Sequence, residues 1–150
     1  MMYTLLWIED DPNDILLGER ALHKSGFPKP IVLRDGEEAI AYLSGKGPYE
    51  DRSRHPLPSL ILSDLKLPRV SGFDIVRWLR DQKGLRRIPF IFFTSSRQRR
   101  DIDLAYDCGA NAYLVKPVES HVLVDLFRSL CSFWMSYNAS PDLSMNPLVR

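Results

Sequence analysis

At 150 residues the chain is long enough for one domain with a buried core. Its 45% hydrophobic and 26% charged residues are ordinary for a globular protein, and a net charge of +1 creates no field favouring nucleic acid or a membrane surface. No apolar run approaches bilayer-spanning length and Met1-Met2-Tyr3-Thr4 lacks a signal-peptide layout, so a cytoplasmic location is expected.

Strand and helix patterns then alternate five times. Tyr3 to Ile8 is a first apolar run that ends on Glu9-Asp10-Asp11. Pro12 suits a helix start, Ile15, Gly18, Ala21 and Leu22 mark its inner face, and Ser25-Gly26 ends it. Ile31-Val32-Leu33 is a short second strand, and Asp35-Gly36 leads into a helix from Glu37 to Leu43. Ser44 to Pro58 has no periodicity and reads as a long loop. Leu60 to Ser63 is the third strand, ending on Asp64, and a third helix spans about Phe73 to Gln82. Ile88 to Phe93 runs into Thr94, followed by a helix from about Gln98 to Cys108 that Gly109 stops. Ala112 to Val115 runs into Lys116-Pro117, and a last helix spans about Glu119 to Tyr137, with Leu123, Leu126, Phe127, Leu130, Trp134 and Tyr137 as its stripe. Residues 138–150 read as a polar tail, too short for an output domain.

Near-continuous apolar strands are those buried on both faces of a parallel sheet. Five of them alternating with five helices predict an α/β fold, a flavodoxin-like doubly wound five-stranded parallel sheet in strand order 2-1-3-4-5. Sites in such sheets form along the carboxyl edge. Carboxylates, a hydroxyl and an ammonium from four strand ends should therefore meet in one crevice. That inventory suits a divalent cation and a phosphoryl group.

Five motifs in order resemble the receiver domain of bacterial response regulators. They are Trp7-Ile8-Glu9-Asp10-Asp11; Ser63-Asp64-Leu65-Lys66-Leu67-Pro68 with Gly72 following; Phe93-Thr94-Ser95-Ser96; Gly109-Ala110; and Tyr113-Leu114-Val115-Lys116-Pro117. The resemblance covers residues 1–137. It implies that Asp64 is the phosphoacceptor, Glu9 and Asp10 the acidic pair, Thr94 and Tyr113 the switch residues, and Lys116 the phosphate-contacting lysine. It also implies a cis Lys116-Pro117 bond that turns Lys116 into the crevice.

The chemistry of the residues agrees with these roles. A carboxylate can attack phosphorus to form an acyl phosphate. Clustered carboxylates would repel the phosphate, and Mg²⁺ offsets that charge. Asp10, Asp64 and the Lys66 carbonyl are its expected ligands, with Glu9 acting through water, while Lys116 is a flexible point charge. Each residue also has a plainer reading: the acidic pair as a helix N-cap, Asp64 as a turn residue, Thr94 as a turn cap, Tyr113 as core. A shared strand-end edge makes a joint accident improbable.

The rest of the chain is less distinctive. Cys108 and Cys131 have no metal-ligand spacing and read as reduced thiols. Arg97, Arg99 and Arg100 sit before Asp101 and Asp103 and read as a solvated helix start. His23, His55 and His121 read as surface residues.

The 44–58 loop and the Phe133-Trp134 end resemble single-domain regulators paired with phytochrome-type histidine kinases. The aromatic crowding at Phe133, Trp134, Met135 and Tyr137 predicts a homodimer. The expected partner is a histidine kinase, with no nucleic acid or membrane and no enzymatic turnover. A flavodoxin-like electron carrier would need a phosphate-cradling loop after the first strand, where Glu9-Asp10-Asp11-Pro12 is acidic and would repel a phosphate without a metal. Two further classes compete. One is a degenerate receiver acting as a constitutive binding module, which the complete residue set disfavours. The other is an Asp-nucleophile phosphatase of the haloacid-dehalogenase type, which needs a carboxylate where Lys66 stands.

Overall fold

The computed structural model describes residues 3–143. Five strands, β1 (Leu5–Ile8), β2 (Ile31–Leu33), β3 (Leu60–Ser63), β4 (Phe90–Thr94) and β5 (Ala112–Val115), alternate with five helices, α1 (Pro12–Ser25), α2 (Gly36–Ser44), α3 (Gly72–Asp81), α4 (Arg99–Cys108) and α5 (Ser120–Cys131). The strands form one sheet in the order β2-β1-β3-β4-β5, every pair parallel. This is the flavodoxin-like architecture expected from the alternating pattern.

Side-chain alternation along the central strands builds two cores. Leu6, Ile8, Ile61, Phe90 and Phe92 pack with Ala39, Leu43, Ile75, Val76, Leu79 and Ala105 of α2, α3 and α4. Leu5, Trp7, Leu60, Leu62, Ile91 and Phe93 pack on the other face with Ala21, Leu22, Leu123 and Phe127 of α1 and α5. Burying one such side chain contributes about 1.5–3 kcal/mol, against about 0–1 for an exposed ion pair. The apolar faces therefore hold the fold, and the surface pairs do not. On α1, Gly18 permits the close approach: a Cβ there would collide with the Trp7 ring. The edge strands differ from β1, β3 and β4, since β5 is only half-buried along its whole length.

Three of the helix starts have a side-chain cap. Asp11 caps α1 and Asp35 caps α2 through side-chain oxygens that accept backbone N–H groups, and Ser71 does the same for α3. Gly26, Gly45 and Gly109 end α1, α2 and α4 in the left-handed conformation.

The structure departs from the sequence reading at four places. The 44–58 segment is built rather than open. Arg52 donates to the Tyr42 and Leu43 carbonyls at the end of α2, both at 2.7 Å, and a 3-10 turn, Gly47–Tyr49, lies beside it. His55 belongs to that packing, with its ring 5.1 Å from Tyr49 and 6.0 Å from Tyr42, so of the three histidines His23 and His121 are the exposed ones. The last helix is α-helical only to Cys131 and continues as a π-helical segment, Ser132–Tyr137. The wider turn moves Tyr137 off the buried stripe, and it is 81% exposed. Finally, no peptide bond among the described residues is cis, so Lys116-Pro117 is trans, contrary to expectation. The Lys116 amide donates to the Thr94 carbonyl at 2.7 Å. The strand ladder thus carries on to Lys116 and aims its side chain without a backbone reversal. Of the tail, residues 144–150 lie outside the described residues.

Candidate functional site

Backbone pairing places the strand ends side by side. The Glu9 amide donates to the Leu33 carbonyl at 2.9 Å, and the Asp64 amide donates to the Ile8 carbonyl at 3.0 Å. Both ladders therefore continue one residue past their strands and deliver the acids to the same edge.

The three acids after β1 have separate tasks. Asp11 is the helix cap: its Oδ1 accepts from the Asn13 and Asp14 amides at 2.8 and 3.1 Å. Glu9 is fully buried, and its Oε2 accepts from the Asp10 and Asp11 amides at 3.1 and 3.2 Å. Asp10 is exposed at the mouth. The plain capping reading thus holds for Asp11 and not for the Glu9-Asp10 pair.

Asp64 lies beside them. Its Oδ1 accepts from the Leu65 amide at 2.7 Å, leaving Oδ2 turned to the crevice. Gly72 lets α3 begin close by, because a Cβ there would collide with the Asp64 carbonyl.

Lys116 joins the carboxylates. Its Nζ donates to Glu9 Oε1 at 2.6 Å, Asp14 Oδ2 at 2.8 Å and Asp64 Oδ2 at 3.1 Å, and it lies 5.8 Å from the centre of the Phe93 ring. Burial by itself would lower the ammonium's pKa, but its hydrogen bonds to Asp14 and Glu9 and the Asp64 charge outweigh it and raise it above its usual range. Glu9 also titrates above the usual carboxylate range, because burial outweighs the pull of Lys116. One ammonium serves three carboxylates here, so negative charge is in excess at this edge.

That imbalance leaves room for a cation. Carboxylate oxygens of Glu9, Asp10 and Asp64 lie within 4.8 Å of one another. Hard oxygen donors carrying uncompensated negative charge fit Mg²⁺ or Mn²⁺.

A cleft runs from Asp64 past Lys66 and Thr94 to Ser96 and Asp101. Lys66 is exposed on its rim. Thr94 is buried, and its Oγ1 accepts weakly from the Ser96 amide at 3.4 Å. The Tyr113 hydroxyl donates to the Ser96 carbonyl at 2.9 Å, and its ring packs 6.2 Å from Phe92. Burial raises the Tyr113 phenol, against the hydrogen bond to Ser96. Thr94 and Tyr113 are therefore linked through one loop residue, Ser96, whose own hydroxyl donates to Asp101 at 2.6 Å.

The sequence-predicted residues Glu9, Asp10, Asp64, Thr94 and Lys116 share this edge, with Lys66 on the rim and Tyr113 one loop away. Asp14 and Ser96 were not foreseen. Asp14 sits in the first turn of α1, where an acid has a sufficient local explanation in the helix dipole. Its contact with Lys116, 102 residues away, has no sequence signal. The Arg97, Arg99 and Arg100 side chains are exposed, and those of Arg99 and Arg100 are turned to Asp103 and Gln98.

Comparison with known proteins points the same way. Residues 5–128 match the model of the response regulator receiver domain. Response regulator Rcp1 of Synechocystis sp. is 33% identical over 133 residues, covering 88% of each chain. The structure of its Mn²⁺-bound form superposes with a TM-score of 0.82 at 32% identity, over 93% of this chain and 99% of that one. Response regulator RPA3017, in red light signaling of R. palustris, matches with a TM-score of 0.89 at 33% identity, over 94% of this chain and 99% of that one. The phosphorylated cyanobacterial phytochrome response regulator RcpA matches with a TM-score of 0.85 at 33% identity, over 95% and 100%. No helix among the described residues is long and apolar enough to cross a membrane.

Proposed function

Because the chain belongs to the response regulator receiver family of two-component signalling, we propose that Asp64 accepts a phosphoryl group from a histidine kinase. The observation that carries the reading is Asp64 Oδ2 lying 3.1 Å from Lys116 Nζ beside the Glu9-Asp10 pair. In the transfer an Asp64 oxygen forms a bond to phosphorus. The phosphorus–nitrogen bond to the donor imidazole breaks, and its electron pair stays on that nitrogen, which takes up a proton. Little else is required of the protein beyond positioning and charge.

Asp10, Asp64, Glu9 and the Lys66 carbonyl would hold Mg²⁺, which supplies positive charge opposite the phosphoryl oxygens. Lys116 supplies the remaining positive charge from its place just past the end of β5. Thr94 is the hydroxyl that bonds the phosphoryl group, and its movement is read by Tyr113 through Ser96. The unit that does this is the receiver at 1–137, and it signals by protein contact rather than by turnover. The kinase is of phytochrome type, a reading supported by the likeness to RcpA and RPA3017.

A homodimer is part of the same proposal. Phe133, Met135 and Tyr137 are exposed at the end of the last helix, and Phe133 and Tyr137 lie beside Asp125 and Arg128. A two-fold interface would bury this patch from both copies. Sedimentation at micromolar concentration should show a dimer, and a monomer with and without phosphoryl donor would remove it. A phosphatase reading is disfavoured because Lys66 offers no acid or base carboxylate where that chemistry needs one.

Acetyl phosphate tests the main reading. The wild type should gain one phosphoryl group with Mg²⁺ and none in EDTA, and Asp64→Asn should gain none. Undiminished labelling of Asp64→Asn would sink the assignment.

A further inference from the structure

Asp14 ties the site's lysine to α1, and nothing in the receiver reading assigns it a part. Its position is the third of the helix, where an acid commonly reaches back to the N–H of the cap residue. Here the Asp11 N–H is already taken by Glu9 Oε2 at 3.2 Å. Asp14 is thus released from the reciprocal cap, and its Oδ2 accepts from Lys116 Nζ at 2.8 Å instead. Its oxygens are not part of the Glu9, Asp10 and Asp64 cluster suited to a cation. It faces the ammonium alone.

An ammonium has three N–H donors. Glu9, Asp14 and Asp64 use all three, and the bond to Asp64 is the longest. Phosphorylation of Asp64 frees the one donor that Asp64 Oδ2 now takes, and any further contact from Lys116 to the phosphoryl oxygens requires releasing Glu9 or Asp14. Glu9 is fully buried, and leaving it unpaired would be costly. The Asp14 side chain is 37% exposed, so water can replace its partner.

We propose that Asp14 is a positioning residue that competes with Asp64 and its phosphoryl group for Lys116, drawing the ammonium towards α1 and lengthening its bond to the Asp64 side until phosphorylation displaces it. The proposal rests on the reading of Asp64 as phosphoacceptor. Asp14 thereby sets how readily the site accepts and keeps a phosphoryl group. A purely structural role in α1 would act in the opposite direction, because damage to the helix would slow phosphorylation.

The test compares Asp14→Asn, Asp14→Ala and Asp14→Glu with the wild type. Initial rates of labelling by acetyl phosphate with Mg²⁺, read by intact mass, should rise about two- to fivefold in the Asn and Ala variants. Asp14→Glu, which can still reach Lys116, should return towards the wild-type rate. A second measurement needs no phosphoryl group. Acylation of Lys116 by an amine-reactive acetyl ester, read by peptide mass against the other lysines, should quicken in the Asn and Ala variants. Unchanged or slower phosphorylation of Asp14→Asn overturns the competition, and unchanged Lys116 acylation overturns the hold itself. A wild type that takes no label on Asp64 removes the phosphoacceptor reading, and the competition with it. A labelled wild type matched by its variants removes only the competition.

Discussion

Two partly buried cations sit at opposite ends of the sheet, and they are satisfied in different ways. At the carboxyl edge Lys116 is bound by three carboxylates. At the amino edge Arg80 is bound by neutral oxygens only: the carbonyls of Gly109, Arg86 and Ile88 and the Asn111 amide, at 2.8–2.9 Å. Burial alone accordingly lowers the Arg80 pKa, while the carboxylates raise that of Lys116 against burial. The guanidinium fork is rigid and matched to fixed carbonyls, so it clips α3 to the start of β4 and the end of α4. The ammonium is a rotatable point charge among acids whose charge can be changed by a cation or a covalent group. One end of the sheet is built to stay, and the other to be altered.

Swapping each cation for methionine should separate the two ends most sharply. Arg80→Met is expected to lower stability by about 2–4 kcal/mol, since four oxygens lose a charged partner. Its urea midpoint should be indifferent to Mg²⁺, and its labelling rate by acetyl phosphate should stay within about twofold of wild type. Lys116→Met should lose about 1–3 kcal/mol in EDTA, because the carboxylates are left to repel one another. Millimolar Mg²⁺ should restore part of that loss. Equal responses of both variants to Mg²⁺ would erase the distinction.

Glu9 sharpens the comparison through pH. Its folded pKa is raised above the ordinary 4.5, chiefly by burial. Stability linked to such a group is fully present below about 4.5 and is lost as pH rises through the folded value. Above that value the ionised carboxylate is thus a cost that a neutral amide avoids. Glu9→Gln should show a higher urea midpoint than wild type at pH 7, a gap that closes on acidification to pH 4, and slower labelling. A variant less stable than wild type at pH 7 would show that the Lys116 bond dominates instead.

The smallest effect is expected at the loop that joins the site to the outer surface. Tyr113→Phe removes one hydrogen bond to Ser96, worth about 1 kcal/mol. Thr94→Ala removes the hydroxyl that meets the Ser96 amide. Both variants should still take label on Asp64. Their dimer affinity, followed by sedimentation, should respond less to phosphorylation than the wild type's, with a coupling of about 1–3 kcal/mol at stake. A full response in both would detach Thr94 and Tyr113 from signal output.

How much of this was legible depended on how local the cause was. Helix starts at Pro12 and Gly36 and stops at Gly26 and Gly109 follow from capping and backbone chemistry, which neighbouring residues set. The π-helical turn at Ser132–Tyr137 did not follow, because an apolar stripe reads alike in α and π geometry until the phase drifts. The 44–58 segment looked structureless because its order comes from Arg52, Tyr42, Tyr49 and His55 meeting across the loop, with no period in the chain. The trans Lys116-Pro117 bond corrected an expectation taken from resemblance, once the Lys116–Thr94 ladder bond accounted for the aim of the side chain.

Sequence alone determined the doubly wound parallel sheet and the placing of Glu9, Asp10, Asp64, Thr94 and Lys116 along one edge. Buried strands, short connections and right-handed crossovers leave few other arrangements. Only the tertiary structure decided which acid does what. Asp11 became the cap, Glu9 the buried partner of Lys116, and Asp14 a third carboxylate on the same ammonium. The Glu9 and Asp14 assignments depend on contacts of 2.6 and 2.8 Å to a residue about a hundred positions away, and side-chain pairing at that range is set by packing and not by any pattern along the chain.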